Sequence, residues 1–112
     1  VSNFDIWPAA EYDILDCIKE LGKKTYMVAI GSVIRASMCV ANGDFTAAIF
    51  PGTVNKHFDI AAVKVIVEEA GGLVTDIHGN EQRYDQEING AIITNKVVHN
   101  EILMTLNDIS KK

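Results

Sequence analysis

The chain alternates between stretches with helical spacing of apolar residues and short apolar runs closed by glycine. Over residues 9–21, Ile14, Cys17, Ile18 and Leu21 recur at the spacing that places them on one helix face. Gly22 stops that helix, with lysine near its end as the dipole favours. Residues 25–30 read as a strand, and residues 33–42 as an apolar helix that Gly43 terminates. Residues 45–50 predict a strand halted by Pro51-Gly52. Residues 59–70 predict a helix that is apolar almost all round, through Ile60, Ala61, Ala62, Val63, Val65, Ile66 and Val67. Such a helix is expected to be buried over most of its circumference. Gly71-Gly72 then allow a close return into a strand at 73–76, and His78-Gly79-Asn80 reads as a turn. A strand at 90–94 and a closing helix at 97–109 complete the pattern, with Val98, Ile102, Leu103 and Leu106 facing inward. Strands alternating with helices predict one layered α/β domain over residues 1–112, with a mixed, largely parallel sheet flanked by helices.

Composition narrows the function. The chain has 112 residues, 48% of them hydrophobic, which is globular and sufficient for one core. Its net charge of −5 argues against nucleic acid as a partner, because a phosphate backbone demands a Lys/Arg footprint. An anionic substrate would need backbone N–H groups or bound cations instead. No apolar run reaches the ~20 residues that span a bilayer, so no membrane partner is expected. Cys17 and Cys39 are far apart with no Cys-x-x-Cys spacing. They read as free thiols in a reducing compartment, which points to the cytoplasm. The first residue is Val1 rather than methionine, as expected of a domain cut or processed from a longer chain.

Four places could carry chemistry. Ala29-Ile30-Gly31-Ser32 lies at a strand-to-helix junction. A helix start offers unpaired N–H groups and a positive dipole end to an anion; the simpler reading is a tight turn with Ser32 as N-cap. Asp59 opens a very apolar helix. It is either a first-turn carboxylate favoured by the dipole or a hard oxygen ligand for Mg²⁺, which needs further ligands from elsewhere. In residues 68–76 the glycines read as structural and Asp76 as a turn residue. His57, His78 and His99, at a constant spacing of 21 residues, match no zinc motif and read as surface or turn histidines. Trp7, Tyr26 and the methionines read as core or interface filler.

From Gly31 onward the residues resemble the carboxy-terminal half of inositol monophosphatase-like enzymes. The resemblance rests on Gly31-Ser32 before a helix, Val40-Ala41-Asn42-Gly43-Asp44, and Phe58-Asp59-Ile60-Ala61-Ala62. It continues through Ile66-Val67-Glu68-Glu69-Ala70-Gly71-Gly72, Val74-Thr75-Asp76 and Thr94-Asn95. It implies a Mg²⁺-dependent, lithium-sensitive phosphatase acting on a small phosphate monoester. It also implies that Asp59 is a metal ligand lying near the substrate. Gly31, Ser32 and Val33 match the family segment whose backbone lies against the substrate.

The departures are specific. The family's other metal ligands lie in an amino-terminal half, in a glutamate and an Asp-Pro-x-Asp-Gly-Thr motif. Here the prolines, Pro8 and Pro51, follow Trp7 and Phe50, so that motif is absent. The 112 residues are therefore expected to lack the amino-terminal metal-binding half, to hold no complete catalytic set and to be inactive alone. The missing half is the expected intramolecular partner. An apolar face left open by its absence is expected to drive self-association into a homo-oligomer. Inositol-specific members carry an acidic residue shortly before the aromatic-Asp pair, whereas no Asp or Glu occurs here between Asp44 and Asp59. That weakens inositol phosphate against fructose, histidinol and nucleotide 3′-phosphates. The family arginine three residues before the Gly-Ser glycine is Val28 here. A non-catalytic binding or assembly module is the alternative. A dinucleotide-binding domain is disfavoured, since no Gly-x-Gly-x-x-Gly follows a strand.

Overall fold

The computed structural model describes residues 2–4, 14–50, 57–86, 88 and 90–110. Nine elements follow in order: β1 (Ser2–Phe4), α1 (Ile14–Gly22), β2 (Met27–Val28), α2 (Val33–Ala41), β3 (Ala47–Phe50), α3 (His57–Glu69), β4 (Leu73–Thr75), β5 (Ala91–Thr94) and α4 (His99–Ser110). The strands form one five-stranded sheet in the order β2-β1-β3-β5-β4. β1 pairs in parallel with both β2 and β3, while β5 pairs antiparallel with β3 and β4. Four strands thus point one way and β5 alone runs against them, which is the mixed, largely parallel sheet that the sequence predicts.

Helices cover both faces. α1 and α4 enclose a core of Phe4, Cys17, Leu21, Ile49, Ile92 and Leu106. α2 and α3 enclose the other, through Val33, Val40, Phe50, Ile60, Val67 and Ile93. Alternation along β3 makes the division: Ala47 and Ile49 point to one layer, Ala48 and Phe50 to the other. The crossovers explain the sides. The chain steps from β1 to β2 in one direction, then from β2 to β3 and from β3 to β4 in the opposite one. Crossovers of one hand therefore place α1 on one face and both α2 and α3 on the other.

The element boundaries are close to those expected, with three informative differences. β1 was not foreseen. Its Ser-Asn-Phe has no strand-like alternation, yet it is buried throughout because it lies between two strands. β2 is two residues long rather than six. α3 is not buried over most of its circumference: Ile60, Val63 and Val67 are covered, while Phe58 is 75% and Val65 65% exposed, with Ile66 also open. Only one of the two layers that an all-round apolar helix needs is supplied by the described residues. The start of the first expected helix, at residues 9–13, and Trp7 lie outside the described residues.

Candidate active site

The topology decides what can meet. β1, β2 and β3 end at one edge of the sheet, and α2 and α3 each begin where a strand of that set ends, running back across the same face. The amino termini of both helices therefore stand at one edge, Gly31, Ser32 and Val33 at the first and Asp59 at the second. Ligands of open α/β sheets bind outside the carboxyl ends of strands, where neighbouring connections leave for opposite faces. β1 and β3 are such neighbours, since α1 and α3 lie on opposite sides.

Each residue is placed by local chemistry. Gly31 takes φ +80°, which a side chain would resist. Ser32 is extended at φ −134° and caps α2, its Oγ accepting from the Arg35 N–H at 3.2 Å. Val33 is buried and anchors the first turn in the core. Asp59 lies in the first turn of α3 and is half-buried. Its neighbour Ile60 is fully buried and fixes the helix rotation. Gly31, Ser32, Val33 and Asp59 are thus brought to one edge of one face. Among the described residues no group of three His, Cys, Asp or Glu converges on a metal position. Asp59 suits Mg²⁺ as a single hard carboxylate donor and does not make a centre by itself.

The remaining polar groups are structural. Asp76 is the turn residue expected, its Oδ1 accepting from the His78 and Asn80 N–H groups at 2.8 and 2.9 Å. Lys64 ties Glu68 at 2.8 Å, and Glu68 also accepts from the Val74 N–H at 3.4 Å. Tyr84 is pushed up to about 12, first by burial and then by Glu68, Glu81 and Asp76. It stays protonated at neutral pH and donates to Gln82 Oε1.

The histidine reading needs correction at His99, which is 2% exposed rather than a surface group. Both ring nitrogens are engaged, Nε2 with Thr75 Oγ1 and Nδ1 with Thr94 Oγ1, each at 2.8 Å. Proton counting fixes the tautomer. Thr75 gives its only hydroxyl proton to the Asp76 carbonyl, so Nε2 carries the ring proton and Nδ1 accepts from Thr94. His78 is exposed as expected, and the side chain of His57 lies outside the described residues. Tyr26, at 84% exposure, is not core filler. Neither cysteine is in a disulfide; Cys17 is buried and Cys39 partly so. No helix among the described residues is long and apolar enough to cross a membrane.

The layered α/β domain thus gathers two helix starts and a carboxylate at one sheet edge. The chain belongs to the inositol monophosphatase family, whose model matches residues 9–111. It is 34% identical over 95 residues to the bifunctional NADP phosphatase/NAD kinase of Methanococcus maripaludis, covering 81% of this chain and 16% of that protein. It is 31% identical over 75 residues to 3'(2'),5'-bisphosphate nucleotidase 1 of Mus musculus, covering 67% of this chain and 24% of that one. Among solved structures, an IMPase/NADP phosphatase complexed with NADP and Ca²⁺ superposes with a TM-score of 0.80 at 28% identity, covering 95% of this chain and 39% of the other. The chain thus spans well under half the length of the proteins it matches.

Proposed function

We propose that this chain is the carboxy-terminal part of a Mg²⁺-dependent phosphatase that hydrolyses a phosphate monoester of a sugar, inositol or nucleotide. The observation that carries the reading is the placement of the α2 start and Asp59 on one edge of one sheet face. The first-turn N–H groups of α2, opened by Gly31, present a positive dipole end to the substrate phosphate. Ser32 keeps that turn in place through Arg35, and Val33 fixes it to the core. Asp59 contributes one oxygen to the metal. The bound ion supplies charge neutralisation on the phosphate and a water of lowered pKa. The other ligands come from an amino-terminal half of the same protein, and that half covers the open face of α3. The chain alone is inactive.

The bisphosphate nucleotidase and NADP phosphatase relatives, with the lack of an acidic residue between Asp44 and Asp59, favour a nucleotide-type phosphate over inositol phosphate. The test is phosphate release by the full parent chain in Mg²⁺, across sugar, inositol and nucleotide monoesters, beside Asp59→Asn. Loss of ~100-fold or more in the variant is expected for a metal ligand. Unchanged activity would return Asp59 to a helix-start carboxylate. No activity of the parent on any ester would leave a binding module.

A further inference from the structure

Asn3 is a polar residue in an interior strand of the sheet. β1 lies between β2 and β3, and Asn3 pairs with Val28 on one side and Ala48 on the other. Phe4 belongs to the α1/α4 core, and Ser2 borders a cleft with Leu21 and Ile102 on that same side. Asn3 therefore points to the opposite face, level with Ala48 beneath α2 and α3. It is fully buried.

Its Oδ1 accepts from the Ile30 N–H at 2.8 Å. That bond carries the tie between β1 and this segment beyond the end of β2. The ladder ends at Val28, and two residues later the side chain of Asn3 stands in for a strand acceptor. It is the last tie on the chain before Gly31 turns at φ +80° and Ser32 caps α2. The bond also fixes the amide, since the opposite orientation would set two donors against each other. Nδ2 then faces away from Ile30, buried and without a partner among the described residues. A buried donor left unpaired costs free energy. An apolar residue of the same shape would remove that donor but would leave the Ile30 N–H without its acceptor.

We infer that Asn3 is a positioning residue for substrate phosphate, its side-chain carbonyl holding Ile30 so that the turn Gly31–Ser32–Val33 meets the phosphate at a fixed height above the sheet. The inference rests on the reading of that turn as the substrate wall. It is separable from that reading, because the bond can be measured without any substrate.

The experiment uses the full parent enzyme with Asn3→Leu, which keeps the shape and removes the acceptor. Melting temperature, kcat, KM, half-activation by Mg²⁺ and inhibition by inorganic phosphate are measured. The expected result is an enzyme that still folds, as its melting transition reports, with KM and the phosphate inhibition constant both raised ~10-fold, as misplacing a binding group does. The kcat and Mg²⁺ response stay within about threefold, because neither the metal nor the transition-state groups are touched. A folded Asn3→Leu enzyme with unchanged KM and phosphate inhibition overturns the inference and leaves the phosphatase reading intact. A parent inactive on every ester overturns the phosphatase reading, and this one with it. If Asn3→Leu does not fold, amide exchange in the unaltered protein decides. Ile30 protected like a ladder amide supports the bond, and fast exchange at Ile30 overturns it.

Discussion

Gly72 shows how tightly single atoms constrain this chain. A Cβ there would stand 2.5 Å from the Thr94 carbonyl oxygen and 2.7 Å from Val67 Cγ1. Gly72→Ala is expected to cost about 1–3 kcal/mol in urea denaturation, as overpacking does. His99 makes a second residue-level prediction. Burial lowers its pKa below the usual 6.5, so the unfolded chain takes up a proton before the folded one. Stability is full above about pH 6.5, falls as pH drops towards the folded value, and is flat below it. Urea midpoints recorded across that window should show the slope, and His99→Gln should remove it. Local chemistry made Ser32 and Asp76 legible from sequence, because a cap and an Asx turn bond two to four residues away. His99 and Asn3 were not, since their decisive partners Thr75 and Ile30 lie 24 and 27 residues off.

At the scale of elements, the helices and the strands β3, β4 and β5 were read well, and β1 and β2 poorly. The helices α2, α3 and α4 carry long apolar patterns, whereas β1 and β2 have three and two residues and no period to detect. α3 was recognised as a helix but its exposure was misjudged, because an all-round apolar sequence does not say who supplies each neighbour. Its open face gives a direct prediction. Val65→Lys with Ile66→Glu should leave helical circular dichroism unchanged in the isolated chain, with stability altered by only ~0.5 kcal/mol per site. Sedimentation velocity should show less self-association than the parent sequence. Unchanged association would mean that this face is not the adhesive one.

At the scale of the whole molecule, the α/β class and the sheet between two helix layers followed from the order of elements. The sharing of one edge by Gly31, Ser32, Val33 and Asp59 did not, since it depends on strand order. That order inserts β1 between β2 and β3 and turns β5 against the rest. The same arrangement predicts what the isolated chain can do. With one carboxylate and no converging metal group among the described residues, the isolated chain should release no phosphate above background at any Mg²⁺ concentration. Mixing it with the complementary part of the parent protein should restore turnover. Turnover by the isolated chain would show that Asp59 does not depend on outside ligands.

The position of β1 has one more consequence, for the order of events during synthesis. Residues 2–4 leave the ribosome ahead of every other element described, yet both strands that flank them are made later, β2 at residue 27 and β3 at residue 47. The nascent segment has no partner on one side until Met27 and Val28 have cleared the exit tunnel, and none on the other until Ile49 has, because a parallel partner cannot be replaced by a local hairpin. During that interval α1 can form but has no sheet to rest on. Slowed translation between residues 5 and 47 would lengthen the exposure of Phe4, and rare codons placed there should lower the soluble yield without altering a single residue of the finished protein.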